Sequence, residues 1–160
     1  MKNCLIILFI FFSICSAPLY AEQVPLLKGE VSVVPNSFFG SWRVVSKRIE
    51  TDAPSKFKEK GIDLWNLSRT NNVITLCNPF NGAKAEITVK RADSKYVEFT
   101  KSGKYDKKIL NDKVELYIEG DTFQGFDSLI LETYVNGKLT KVETAKYSLK
   151  GEKISGQISD

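Results

Sequence analysis

The punctuation of this sequence limits its fold more than any other feature. From residue 71 onward, turn-forming pairs recur about every ten residues: Asn71-Asn72, Asn81-Gly82, Asp93-Ser94, Ser102-Gly103, Asn111-Asp112, Gly120-Asp121, Gly125 to Ser128, Asn136-Gly137 and Gly151-Glu152. Asn-Gly, present at 81–82 and 136–137, tolerates the positive φ needed at both centres of a type I′ hairpin turn. Between the breaks the apolar period is two. Ala85, Ile87 and Val89 alternate with Lys84, Glu86, Thr88 and Lys90; Val97 and Phe99 with Tyr96, Glu98 and Thr100; Val114, Leu116 and Ile118 with Glu115, Tyr117 and Glu119. Each run offers one face to a core and the other to water, as half-buried antiparallel strands do. Along 139–149 the apolar parity changes, which predicts a bulge or bend.

Helix-sized amphipathic segments are absent, which argues against βαβ architectures. One short helix is expected near residues 54–60, where Pro54 opens and Gly61 closes a polar stretch around Phe57. Short strands in sequence order must resolve their edges by closing into a ring or folding over. A Greek-key sandwich needs a long crossing connection, and the one long link, 51–62, lies near the start. The expected fold is therefore all-β, an antiparallel up-and-down β-barrel of about eight to ten strands.

The chain opens with the positive Met1-Lys2-Asn3 and an apolar run from Cys4 to Ile14, too short to span a bilayer, and reaches a small residue at Ala21. This predicts a signal peptide over 1–21, an extended segment over 22–37 carrying Pro25 and Pro35, and a single barrel domain over 38–160. The expected location is secreted or periplasmic, with no transmembrane segment. Ile14 stands before Cys15 where a lipid-anchoring signal has a small residue. Removing 21 of the 160 residues leaves 139, enough for one domain whose core needs no disulfide. Of three cysteines only Cys77 remains, and within Val73-Ile74-Thr75-Leu76-Cys77 it reads as a small buried hydrophobe.

There is no histidine, which removes Ser-His-Asp and Cys-His triads, histidine-ligated zinc or haem, and a histidine pH switch. Without Lys2 the net charge falls from +4 to +3. With Arg confined to Arg43, Arg48, Arg69 and Arg91, this argues against nucleic-acid binding. Glu115, Glu119, Asp121, Asp127 and Glu132 lie close in sequence, but Glu115 and Glu119 share the water face opposite Val114, Leu116 and Ile118. Glu119-Gly120-Asp121-Thr122 lacks the spaced oxygen donors of a calcium loop. No catalytic residue, metal ligand or cofactor is assigned. Lysines 84, 90, 95, 101, 104, 107, 108 and 113, with Arg91, read as a solvated basic face that also protects strand edges from pairing.

At the head of the first strand stands Phe38-Phe39-Gly40-Ser41-Trp42-Arg43-Val44-Val45. Its Gly-x-Trp resembles the opening of the lipocalins and fatty-acid-binding proteins, the calycin group of ligand-carrying barrels. In such barrels the glycine allows a tight turn beneath the barrel and the indole plugs its narrow end. The link after the first strand and the succession of hairpins are similar to those families, and the resemblance implies a lipocalin-like carrier. Lipocalins also place a late Arg on the Trp, and fatty-acid-binding proteins use Arg-x-Tyr on the ligand carboxylate. This chain has no Arg after Arg91, which leaves Lys146, Lys150 or Lys153 for such a role, with a point charge and no planar fork.

The ligand-facing candidates are Trp42, Trp65, Leu67, Phe99, Leu116, Phe123, Tyr134, Lys146 and Tyr147, with Phe126, Leu131, Gln124 and Thr133 as further members of the same strands. A barrel of this size either packs its interior or leaves room for one small ligand. The expectation is a monomeric, non-enzymatic protein holding a small hydrophobic molecule. The alternative is a surface-binding module or enzyme inhibitor acting on a protein or cell-envelope partner with no small-molecule ligand.

Overall fold

The computed structural model describes residues 34–156; the expected signal peptide and residues 22–33 of the expected extended segment lie outside them. Eight strands follow one another: β1 (Gly40–Thr51), β2 (Lys60–Thr70), β3 (Val73–Cys77), β4 (Lys84–Ala92), β5 (Tyr96–Tyr105), β6 (Lys108–Glu119), β7 (Thr122–Val135) and β8 (Lys138–Gly156). Each pairs antiparallel with its sequence neighbour, and β8 returns to β1, so the sheet is a closed up-and-down barrel with no free edge. Among the described residues there is no α-helix, and none long and apolar enough to cross a membrane.

Period-two alternation holds where the sequence shows it, in β3, β4, β5 and β6. Val97, Phe99, Val114, Leu116, Ile74, Ile87 and Val89 turn inward and are almost fully buried. The expected parity change in β8 is a bulge: Thr133 pairs with Lys141 and Tyr134 with Leu139, leaving Thr140 unopposed. Ile49 is likewise an extra residue in β1 opposite β8. The β7–β8 turn has positive φ at both Asn136 (51°) and Gly137 (75°), as the Asn-Gly pair predicts. Asn81-Gly82 instead sits in a longer loop, 78–83, in which Asn78 N donates to Ala83 O and Gly82 N to Asn78 O.

Four expected breaks are strand interior. Ser102-Gly103 belongs to β5, Asn111-Asp112 to β6, Gly125 to Ser128 to β7, and Gly151-Glu152 to β8. The β5–β6 turn falls at Asp106-Lys107, where Asp106 takes a positive φ of 53°. At Gly125 a Cβ would come within 1.9 Å of the Glu115 carbonyl oxygen, and at Gly151 one would enter the Phe123 ring at 2.1 Å. These two glycines serve close packing within the barrel wall rather than turning.

The short helix expected near 54–60 does not form. Residues 52–59 make an irregular loop with a single helical turn, in which Lys56 N and Phe57 N both donate to Ala53 O at 3.0 and 3.3 Å. The segment has only Phe57 and Ala53 to bury, too little apolar surface to offset helix nucleation. Gly61 is part of β2, opposite Ser46, and caps nothing. Cys77 ends β3 half-exposed, so it is not the buried hydrophobe expected of it.

The two ends of the barrel differ. A one-turn 3-10 helix, Asn36–Phe38, with Val34 and Phe39, covers the end formed by the β2–β3, β4–β5 and β6–β7 turns. Trp42 lies here at 0% exposure, and its indole Nε1 donates to Phe38 O at 3.0 Å. Phe38 meets Phe39 and Phe99 edge-on, with centroids 5.6 and 5.9 Å apart, and Trp42 packs on Phe123 at 5.0 Å. Burying an indole of roughly 200 Å² contributes on the order of 5 kcal/mol before entropy is counted. The opposite end is not packed in this way.

Candidate functional site

The open end is bounded by loops 52–59 and 78–83 and by the β5–β6 and β7–β8 turns. Loop 52–59 folds over it and is held from several sides. Arg48 Nη1 donates to Pro54 O at 3.2 Å and to Phe57 O. Tyr147 Oη donates to Lys58 O at 2.9 Å. Asp52 accepts from Thr144 N at 2.7 Å and from Thr144 Oγ1 at 3.2 Å. Lys56 Nζ reaches Glu143 at 2.5 Å, and Lys141 Nζ meets the same carboxylate at 2.7 Å. Hydrogen bonds from Lys141 and then Lys56 hold the Glu143 carboxyl below its ordinary pKa. These bonds turn a flexible link into a fixed cover that buries Phe57.

Beneath the cover is a cavity of about 350 Å³ lined by Trp65, Phe57, Val44, Leu129, Leu149 and Tyr147, with Asp63 and Asp127 as the acidic groups and Lys56, Lys58 and Lys60 at its rim. A second space of about 220 Å³ shares Asp63 and Trp65 with it and extends towards Leu76, Leu110, Lys101 and Asp112. The largest depression, about 670 Å³, lies elsewhere, over the outer wall of β4–β7. The β4–β5 ladder stops at Thr88 opposite Thr100, so the strands part towards the open end, and Ile87, Lys101 and Asp112 are reached between them. Its remaining lining, including Glu86, Lys90 and Lys113, is the water face of the sheet. The space beneath loop 52–59 is the better ligand site, because it brings Trp65, Phe57 and Tyr147 together with Asp127 at the mouth of the barrel.

The polar groups of the open half form one electrostatic unit. Lys101, expected on a solvated basic face, points inward by the alternation of β5, opposite Asp112 in β6, and forms an ion pair with it. Its side chain is 21% exposed and that of Asp112 only 3%. Burial pushes the Lys101 ammonium below its ordinary pKa, against the attraction of Asp127 and Asp63. Burial likewise pushes the Asp127 carboxyl up to about 6, although Lys101 draws it down. Asp63 Oδ1 accepts from Leu64 N at 3.0 Å and from Asn78 Nδ2. By contrast, Asp127 Oδ1, Asp112 Oδ1 and Thr133 Oγ1 are sealed from solvent without a hydrogen-bond partner. Burial also raises the Tyr147 hydroxyl pKa, the first of its causes.

The candidate residues separate by depth. Trp65 and Tyr147 line the cavity, 65 from β2 and 147 from β8. Trp42, Leu67, Phe99, Leu116 and Phe123 belong to the packed core of the closed half, with Phe123 stacked on the far side of Trp65 at 6.0 Å. Tyr134 lies near the β7–β8 turn and donates from its hydroxyl to Glu132 at 3.0 Å. Lys146 stands on the outer wall, its ammonium 5.3 Å from the Phe126 ring centroid. Phe57, Asp63, Lys101, Asp112 and Asp127 were not among the ligand-facing candidates. Continuing the alternation of Val97-Phe99 and Val114-Leu116 by one step marks Lys101 and Asp112 as inward.

At the closed end, Lys153 Nζ lies 5.2 Å from the Trp42 ring and donates to Ser37 O at 3.0 Å. A late basic residue thus lies over the buried tryptophan. No protein-family model, curated protein or solved structure matches the chain.

Proposed function

We propose that this protein is a lipocalin-like, non-enzymatic binding barrel that is exported and holds a small, largely apolar molecule in the cavity at its open end. The observation that carries the reading is the contrast between the two halves of one barrel. Below Trp65 the interior is filled by side chains; above it, Trp65, Phe57, Val44, Leu129 and Leu149 border about 350 Å³ that opens to solvent beside a loop fixed by hydrogen bonds. A volume at the lower end of ordinary ligand pockets, with an apolar floor and a charged rim, suits one compact molecule. The Gly40-x-Trp42 opening, with its indole buried beneath Lys153, supports kinship with the calycin barrels. The second reading, a surface module for a protein or cell-envelope partner, draws on Phe80, 84% exposed, and Tyr105, 59% exposed, beside the same opening.

Native mass spectrometry of the protein recovered from its own exported fraction, compared with its denatured mass, tests the first reading. A small molecule released on denaturation supports it. An empty protein that also fails to take up a neutral apolar fluorophore refutes it and turns attention to Phe80 and Tyr105.

A further inference from the structure

We propose that the molecule held in this cavity carries a cationic amine, whose ammonium sits against Asp127 while its apolar body lies against Trp65, Phe57, Leu129 and Leu149. The inference rests on the preceding reading of the cavity as a small-molecule site and adds the chemical class of its occupant.

The first argument is the pairing of the acidic groups in the open half. Glu143 is held by Lys56 and Lys141, and Asp112 by Lys101. Asp63 already accepts from Leu64 N and Asn78 Nδ2. Asp127 lines the cavity, and its Oδ1 is cut off from solvent with no donor from the protein. A carboxylate so poorly partnered by the protein is best met, on the edge it turns to the cavity, by a charged N–H donor. The neighbouring rings of Trp65, Phe57 and Tyr147 are also favourable company for an organic cation.

The competing chemistries fit less well. An anionic head group would find Lys58 and Lys60 only at the exposed rim, where pairing is weak and screened, since Lys56 is held by Glu143. Deeper in the cavity it would face Asp127. A metal ion is disfavoured because, among the described residues, no three acidic or thiol groups converge on one point. A neutral alcohol would supply a hydrogen bond to Asp127 but no counter-charge.

Displacement of the neutral dye N-phenyl-1-naphthylamine by octylamine, octanol and octanoate, matched in chain length, tests the proposal on the full-length exported protein. At a pH of about 8, octylamine is expected to displace the dye at a concentration at least about tenfold below that needed for octanoate, and to outcompete octanol. Its advantage over octanol should disappear in Asp127→Asn. A second measurement needs no variant: in the native protein that advantage should fade as the pH drops through about 6, where Asp127 gains a proton while octylamine stays charged. The other titratable groups around Asp127, namely Lys101 and Tyr147 with Asp63, Lys56, Lys58 and Lys60 of the cavity lining, are unchanged in Asp127→Asn. Equal displacement by all three probes, or a preference for octanoate, overturns the amine proposal and leaves the cavity reading standing. An amine preference that ignores both pH and Asp127→Asn also overturns it. Failure of the dye and every probe to bind overturns the cavity reading itself.

Discussion

Replacing Asp127 by Asn should make the protein more stable, and only above a particular pH. Asp127 lies in mid-β7, between Val114 of β6 and Tyr147 of β8, with its side chain turned into the barrel. Burial raises its carboxyl from 3.8 to about 6, a shift that already includes the favourable pull of Lys101. Because the folded state binds this proton more tightly than the unfolded chain, folding must pay for ionisation at neutral pH. The cost is absent below the unfolded value, grows between 3.8 and about 6, and is complete above about 6. A shift of about two units, at about 1.4 kcal/mol each, amounts to about 3 kcal/mol. Asn imitates the protonated carboxyl in shape and charge. Urea unfolding of both proteins between about pH 4 and pH 8 should therefore give curves that nearly coincide at the acid end and separate by about 3 kcal/mol at the other. A difference that stays flat across this range, or a variant less stable at about pH 8, would refute the burial of the Asp127 charge. A residue that destabilises its own fold at neutral pH is characteristic of a functional site, which is why the same position anchors the proposed amine.

Three further outcomes follow from the packing. Lys101→Met strands the Asp112 carboxylate and should cost about 3–5 kcal/mol in urea unfolding, most of it recovered by adding Asp112→Leu; a neutral single variant would mean the pair is solvated. Gly151→Ala drives a methyl group into the Phe123 ring and should cost about 1–3 kcal/mol, read as a lowered Tm and altered emission from Trp42 and Trp65. Trp42→Ala empties the plug of the closed end and should cost about 3–5 kcal/mol in the same unfolding assay; a loss under about 1 kcal/mol would contradict its burial.

The sequence reveals the wall of the barrel more readily than its contents. Strand faces follow from Ile87-Val89, Val97-Phe99 and Val114-Leu116, because an apolar residue at every second position has one sensible arrangement in an antiparallel sheet. The interior charges are harder to see, for a specific reason. Ser102-Gly103, Asn111-Asp112 and Gly125 to Ser128 have the composition of turns, yet they are the points at which β5, β6 and β7 pass from the packed half into the open half. A strand facing a core and a strand facing a polar cavity continue the same geometry with different side chains. Composition therefore signals a break while the backbone runs on, and the parity that would place Lys101, Asp112 and Asp127 inside is cut one step too early. Loop 52–59 hides in the opposite way. Its Pro54 and Gly61 suggest a helix, but its position depends on Arg48, Thr144, Glu143 and Tyr147, partners up to 92 residues distant that no local pattern announces. Local propensity and tertiary structure thus disagree mostly at the open end, while at the closed end Gly151-Glu152 is the misleading pair. Such disagreement is expected where a chain gives up packing for binding, which accords with the binding role proposed for the open end.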